Sequence, residues 1–123
     1  MRINYLIILV SDMERSLAFY RDIVGMAPRF DSPGWTEFDT EGATWALHKS
    51  DGPAPGAEAL QSETAGRCRP GFQVPDLDVF HQRMLENDVT CAQDPTETFG
   101  VRIAQYVDPD GLLFSVSEAK RDA

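Results

Sequence analysis

The chain has 123 residues, 42% of them hydrophobic, which suits one small globular domain or two small modules that share a core. Its formal net charge of −9 argues against a nucleic-acid partner, since phosphates attract basic surfaces. The longest apolar stretch, residues 5–10, is too short to cross a bilayer and does not have the pattern of a signal peptide. We therefore expect no membrane partner and a cytoplasmic location.

The first half of the chain predicts the order strand, helix, strand, strand, strand. Residues 3–10 are apolar on both faces of a strand, which indicates a strand covered on both sides. Ser11-Asp12 is a candidate N-cap for a helix over residues 12–24, and Gly25 is suited to the left-handed position that ends it. The predicted apolar stripe of this helix is Met13, Leu17, Tyr20 and Val24, and the strands that follow are predicted over residues 26–31, 35–39 and 43–48.

Residues 49–66 are rich in Gly, Pro, Ala and Ser and show no apolar period, so we interpret them as a linker. The linker separates a first module, residues 1–48, from a second module, residues 67–118, which a charged tail over residues 119–123 follows. In the second module we predict a strand over 67–74, a helix from Pro75-Asp76 to Asn87-Asp88, and strands over 89–92, 99–108 and 112–117.

The second half repeats the first. Val10-x-Asp12-Met13-Glu14 matches Val74-x-Asp76-Leu77-Asp78 at an offset of 64, and Asp39-Thr-Glu-Gly42 matches Asp108-Pro-Asp-Gly111 at an offset of 69. The five additional residues are predicted to form a loop around residues 94–98. The repeat predicts an α+β fold in which two βαβββ modules, related by a pseudo-twofold axis, form a curved eight-stranded cleft.

Two segments and the duplicated order resemble a known family. Residues 9–25, Leu-Val-Ser-Asp-Met-Glu-Arg-Ser-Leu-Ala-Phe-Tyr-Arg-Asp-Ile-Val-Gly, combine a strand with a capped helix, and Asp108-Pro-Asp-Gly111 enters the last strand. This organisation resembles the vicinal oxygen chelate superfamily, which includes glyoxalases, bleomycin-resistance proteins and extradiol dioxygenases. The resemblance covers nearly the whole chain.

The metalloenzymes of that family hold one divalent ion with two ligands from each module, one from the first strand and one from the last. The resemblance places these positions at Tyr5, Ala46, Arg69 and Ser115. None is an ordinary ligand, and Arg69 stays protonated without a free lone pair. His48, two residues beyond Ala46, would be displaced by about 7 Å, and we expect His81 to be exposed on the second helix. The resemblance therefore implies neither a metal nor another cofactor.

Strand alternation assigns residues to the cleft face, which we expect to be an apolar wall with a few polar groups. Trp45 faces the opposite way and is expected to pack against a helix. Tyr5 could fill the space of a metal, Arg69 could pair with Glu37 or hold an anionic or carbonyl oxygen, and His48 is the candidate catalytic acid or base. The candidate ligand-binding residues are Tyr5, Ile7, Trp35, Phe38, Ala46, His48, Arg69, Gln73, Tyr106 and Ser115.

Two functions stay open at this point. The first is a metal-free module that sequesters an antibiotic or other natural product, as the bleomycin-resistance proteins do for a cationic aromatic antibiotic at the grooves of a homodimer. The second is a glyoxalase-like or dioxygenase-like enzyme, acting as a lyase, isomerase or oxidoreductase, that is metal-independent or uses a non-standard metal site. Both imply a small organic ligand and a homodimer. Cys68 and Cys91 are expected to be free thiols without a supporting histidine.

Overall fold

The computed structural model describes residues 1–52, 65–66 and 68–119. The chain divides into two compact units, Met1–Ala54 and Pro55–Ala123, and each has its own four-stranded sheet. The α+β class and the two βαβββ modules are therefore confirmed. Most of the predicted linker and all but the first residue of the predicted tail lie outside the described residues. Within the described part of the chain, no helix is long and apolar enough to cross a membrane.

Sheet 1 has the strand order β1-β4-β3-β2, with β1 parallel to β4 and the other pairs antiparallel. One helical segment connects β1 to β2 and packs on one face of the sheet. The elements are β1 (Tyr5–Val10), α1 (Met13–Ala18), a π-helical turn (Phe19–Val24), β2 (Ala27–Asp31), β3 (Trp35–Asp39) and β4 (Thr44–Lys49).

Sheet 2 repeats this topology in the order β5-β8-β7-β6, again with a parallel pair, β5 and β8. Ile7 pairs with Ala46 in sheet 1 and Gly71 pairs with Ser115 in sheet 2, so the registers reproduce the sequence offsets of 64 and 69. The elements are β5 (Gly71–Val74), α2 (Leu77–Glu86), β6 (Cys91–Thr98), β7 (Val101–Val107) and β8 (Leu113–Glu118).

Both helices begin with the same cap. The side chain of Asp12 accepts a hydrogen bond from the Arg15 backbone N–H at 3.0 Å, and Asp76 accepts one from the Val79 N–H at 3.1 Å. The two aspartates have nearly identical extended backbones, with φ of −138° and −139°. Each satisfies an N–H that the first helical turn leaves without a partner. The predicted N-cap at Asp12 is confirmed.

The first helix ends in a π-helical turn, where the N–H groups of Gly25 and Met26 both donate to the Tyr20 carbonyl. Gly25 closes it with φ of 96°, the left-handed conformation that glycine adopts without steric cost, as predicted. The predicted apolar stripe is wrong at one position. Leu17 is only half-buried, because the small side chain of Ser16 occupies the sheet-facing position instead.

Aromatic side chains form the core between each sheet and its helix. In the first unit the Tyr20 ring lies 6.1 Å from Phe38 and 5.4 Å from Trp45, all three being buried. In the second unit the ring of Tyr106 lies 5.5 Å from Phe80 and 5.9 Å from Phe114. Trp45 thus packs against a helix, as expected.

The predicted loop around residues 94–98 is wrong, since these residues belong to β6. The chain turns instead at Phe99 and Gly100, both with positive φ, and enters β7 at Val101. The β6–β7 pairing shifts register between Cys91 and Gln93 and again before Thr96. Proline and bulges are tolerated here because β6 is the edge strand of sheet 2.

Candidate functional site

Sheet 1 has one face that the helix does not cover, which we call the open face of sheet 1. On β1 the residues Tyr5, Ile7 and Leu9 point to this face and keep 50%, 50% and 63% of their surface exposed. The alternate residues Ile8 and Val10 point to the helix and are buried. The open face is therefore an apolar surface that the core of the first unit does not use.

Neighbouring strands continue this face in register. Ala46 has no exposed surface, because its methyl group lies between the larger side chains of the neighbouring strands. His48 is exposed beside it. The two rows of neighbours that run across β1, β4 and β3 are Ile7, Ala46 and Glu37, and Leu9, His48 and Trp35.

Trp35 is the centre of an aromatic group on the open face. Its ring lies 6.1 Å from that of Tyr5 and 6.0 Å from that of His48, both in edge-to-face geometry. The indole N–H donates to Oε2 of Glu37 at 2.8 Å, which fixes the orientation of the ring. The structure thus brings three predicted site residues, Tyr5, Trp35 and His48, into one group.

A charged network that the sequence reasoning missed supports Glu37. Arg29 donates to Oε1 of Glu37 at 2.7 Å, to Asp39 at 3.1 Å and to the Thr44 hydroxyl at 2.8 Å. The hydrogen bond from Trp35, and then that from Arg29, lowers the pKa of Glu37 below its ordinary value. Alternation along β3 could have placed Glu37 on this face, but the pairing to Arg29, eight residues away, had no local signal.

An open groove of about 580 Å³ lies at the start of β1, where the turn between β3 and β4 approaches it. Tyr5 and Thr44 line its side nearest the open face, and Arg2 and Glu41 bring one charge of each sign to its lining. The groove extends the surface around Tyr5 with polar groups that the sequence reasoning did not select.

Sheet 2 also has a face opposite its helix, which we call the open face of sheet 2. Gly71 pairs with Ser115 and Gln73 pairs with Ser117 on this side. Where sheet 1 has Ile7 beside Ala46, sheet 2 therefore has a glycine beside a serine. The two open faces differ in chemistry, since the first is aromatic and apolar while β5 and β8 present small polar groups.

Two candidate ligand-binding residues do not reach an open face. Phe38 and Tyr106 have no exposed surface and lie in the two helix-facing cores. Phe38 alternates with Trp35 and Glu37 along β3 and so points to the opposite side. These two predictions are wrong because aromatic character was given more weight than strand phase.

Arg69 and His81 also differ from expectation. Arg69 is exposed, but it precedes β5, which begins at Gly71 and not within residues 67–70; residue 67 lies outside the described residues. The His81 side chain is only 19% exposed, and its Nδ1 lies 2.9 Å from the Tyr106 hydroxyl. Both cysteines are free, as expected, but Cys91 does have a histidine beside it, namely His81.

The four positions that the family resemblance assigns to metal ligands carry side chains of another chemistry. Tyr5 has its ring against Trp35, and Ala46 offers only a buried methyl group. Arg69 is a permanent cation and Ser115 a neutral hydroxyl, whereas divalent ions of this type are held by imidazole and carboxylate groups. Taken one by one, these four side chains do not have the chemistry of ordinary ligands for a divalent cation.

Comparison with known proteins agrees with this fold. A family model described as the Glyoxalase/Bleomycin resistance protein/Dioxygenase superfamily matches residues 2–116. The chain belongs to this superfamily. A glyoxalase/dioxygenase from Nostoc punctiforme has the same fold, with a TM-score of 0.83 at 19% identity over 98% of this chain and 92% of that one.

Two further proteins are similar to this chain. TnmS3, an antibiotic binding protein from Streptomyces sp. CB03234, is 25% identical with a TM-score of 0.72, over 98% of this chain and 97% of that one. The anthracycline biosynthesis protein DauV of Streptomyces sp. (strain C5) is 29% identical over 96% of this chain. The present chain spans 42% of the length of DauV.

Proposed function

We propose that this superfamily member binds an aromatic natural product, such as an antibiotic, on the open face of sheet 1 and sequesters it without a metal ion. The observation that carries the proposal is the fixed ring of Trp35 between Tyr5 and His48, beside the exposed side chains of Ile7 and Leu9. Exposed apolar side chains concentrated on one face are a common feature of binding surfaces.

The ring of Trp35 is preorganised for such a ligand. Its N–H is held by Glu37, which is ionised at neutral pH and is itself held by Arg29. A side chain that is already ordered loses little conformational entropy when a ligand stacks on it or fills the space beside it. Aromatic surfaces gain from offset-stacked and edge-to-face contacts with a second ring system.

The side-chain chemistry of Tyr5, Ala46, Arg69 and Ser115, none of which is an ordinary metal ligand, favours direct recognition of an organic molecule over the metal chemistry of the superfamily's enzymes. The antibiotic-binding relative TnmS3 and the anthracycline biosynthesis protein DauV suggest polycyclic aromatic antibiotics as the first ligands to test. We further propose that the protein acts in the cytoplasm as a homodimer and lowers the free concentration of the antibiotic, as a resistance protein does.

The test uses the two tryptophans of the chain as paired reporters. Trp45→Phe leaves Trp35 as the only indole and Trp35→Phe leaves the buried Trp45. An anthracycline, and separately bleomycin, is titrated into both variants. We expect the tryptophan fluorescence of the Trp45→Phe protein to be quenched saturably, at one ligand per chain. In the Trp35→Phe protein we expect only the linear decrease in fluorescence that results from light absorbed by the added ligand. Equal responses in the two variants, or no binding of either compound, would refute the proposal.

Mass spectrometry of the recovered compound separates sequestration from catalysis. We expect the ligand to be released with unchanged mass after prolonged incubation. A changed mass that is abolished in His48→Gln would instead favour the enzymatic alternative, with His48 as acid or base. Light scattering checks the oligomer, for which we expect twice the 13.7 kDa mass of one chain.

A further inference from the structure

A second cluster of reactive side chains lies on the helix-covered side of sheet 2. It consists of His81 on α2 and Cys91 and Asp94 on β6, and one candidate ligand atom from each lies within 4.8 Å of the other two. Nε2 of His81 is 3.7 Å from Oδ1 of Asp94, and Sγ of Cys91 is 3.5 Å from the same oxygen. Imidazole, thiol and carboxylate thus converge on one point.

The irregular pairing of β6 brings two of these groups together. In a regular strand Cys91 and Asp94, three residues apart, would point to opposite faces. The register shifts on either side of Gln93 change this alternation, and both side chains turn toward α2. Bulges are common where a strand redirects a side chain next to a functional site.

The histidine is held in the orientation that such a site needs. Its Nδ1 lies 2.9 Å from the hydroxyl of the fully buried Tyr106, so Nε2 is the nitrogen that faces Asp94. A hydrogen bond to the second ring nitrogen is the usual way in which a protein fixes the tautomer of a metal-binding histidine. Tyr106 is thereby a positioning residue.

We propose that His81 Nε2, Cys91 Sγ and Asp94 Oδ1 bind a Zn²⁺ ion, with a water molecule as the fourth ligand. Bond lengths of about 2.0–2.3 Å around tetrahedral zinc put neighbouring ligand atoms roughly 3.3–3.6 Å apart. The Cys91–Asp94 separation of 3.5 Å lies within that range, and the His81–Asp94 separation of 3.7 Å exceeds it slightly, so a small rotation of the exposed Asp94 side chain completes the spacing. Magnesium and calcium prefer all-oxygen sites, whereas a mixed N, S and O set suits zinc.

Zinc binding requires the Cys91 thiol to lose its proton. Burial, and then the hydrogen bond to Asp94, raises the pKa of the Cys91 thiol, so without metal the thiol keeps its proton. On binding, the S–H bond breaks, the sulfur lone pair forms the Zn–S bond and the proton leaves to solvent. The Asp94 side chain is 86% exposed, which leaves an approach for the ion and room for its water.

The bound ion would connect α2 to the edge strand of sheet 2, and its effect on this unit can be measured. Chelator-treated protein is titrated with Co²⁺ as a spectroscopic substitute for zinc, and separately with Zn²⁺ by calorimetry. We expect one ion per chain, a thiolate-to-cobalt charge-transfer band, and a higher midpoint of thermal unfolding with Zn²⁺.

The matched control is the second thiol of the chain. Cys91→Ser should abolish the charge-transfer band and weaken zinc binding at least about 100-fold, whereas Cys68→Ser, at an exposed position, should change neither. Asp94→Asn, at an exposed side chain that tolerates substitution, should weaken binding without unfolding the protein. Tyr106→Phe should cost about 10-fold, as expected of a residue that positions the histidine.

Three outcomes would overturn the proposal. These are a stoichiometry well below one ion per chain, a charge-transfer band that persists in Cys91→Ser, or a band that disappears in Cys68→Ser. Circular dichroism of each variant identifies loss of binding that is due to unfolding, and Asp94→Asn then provides the decisive measurement. The ligand titrations on Trp35 are independent of this result.

Discussion

Asp108 begins the turn between β7 and β8, and its replacement by alanine is expected to destabilise the protein strongly. Its carboxylate oxygen Oδ1 accepts hydrogen bonds from the backbone N–H groups of Asp110 at 2.9 Å and Leu112 at 2.8 Å. The residue is only 4% exposed, so alanine would leave two N–H donors without a partner in a place that water reaches poorly.

The magnitude follows from these two bonds. A hydrogen bond to a charged group contributes about 1.5–3 kcal/mol, and two that share one acceptor are not fully additive. We expect Asp108→Ala to lower the free energy of unfolding by about 3 kcal/mol, which for a chain of this length lowers the unfolding midpoint by about 10–15 °C. Asp108→Asn keeps an acceptor oxygen without the charge, and about half of the loss is expected.

The repeat supplies the control. Asp39 occupies the same motif position in the first unit, but it is exposed and contacts Arg29. The turn there is held instead by the Thr40 hydroxyl, which accepts a hydrogen bond from the Gly42 N–H and donates one to the Ala43 carbonyl. Asp39→Ala should shift the midpoint by no more than about 2 °C. Equal shifts for Asp39→Ala and Asp108→Ala in thermal circular dichroism would refute this reasoning.

Three further predictions concern packing, hydrogen bonding and pH. Leu47→Ala, at a fully buried core position, should cost about 3 kcal/mol in denaturant unfolding. Tyr106→Phe removes the partner of His81 Nδ1 and should cost about 1 kcal/mol. In the folded protein the pKa of Glu37 is lowered, chiefly by the hydrogen bond from Trp35. The ionised carboxylate therefore stabilises the fold fully above the unfolded-state pKa of about 4.3, and this stabilisation is lost as the pH falls through the lower pKa of the folded state. Glu37→Gln should therefore be less stable than wild type at pH 7, and the difference between the two proteins should shrink as the pH falls below about 4.3.

Each of these has a control. Leu85→Ala, at a side chain that is 47% exposed, should cost less than about 1 kcal/mol, and a cost equal to that of Leu47→Ala would contradict the core assignment. Tyr5→Phe, at an exposed ring, should leave the free energy of unfolding unchanged and serves as the control for Tyr106→Phe. For Glu37, the control is the pH dependence itself. If the difference in free energy of unfolding between wild type and Glu37→Gln grew on acidification, the pKa of Glu37 would be raised by folding and not lowered.

Much of the fold could be predicted from the sequence, because the repeat gives two observations of each element. Asp12 and Asp76 mark the same cap, and the pairs that Ile7 forms with Ala46 and Gly71 with Ser115 are separated by the two offsets found in the sequence. A strand was predicted over 89–92, but the remainder of β6 was missed because Asp-Pro-Thr-Glu-Thr has the composition of a turn. Only its place at the sheet edge, a tertiary feature, makes it a strand.

The candidate site was less predictable, for two physical reasons. Strand alternation placed Tyr5, Ile7 and His48 on the open face, but Phe38 was included for its aromatic character although its phase pointed inward. Contacts between distant segments have no local signal. The cluster of His81 with Cys91 depends on a bulge, which shifts strand phase and cannot be derived from periodicity.

The strand pairing of sheet 1 has a consequence for synthesis on the ribosome. β1 is made first, but its partner in the sheet is β4, and Tyr5 must wait for Thr44 before it can pair. All four strands of this sheet are nevertheless complete by Lys49, before any strand of sheet 2 has been translated. The amino-terminal sheet therefore has all of its pairing partners available while the carboxy-terminal half is still being translated, and no strand of the first sheet has to wait for a partner from the second.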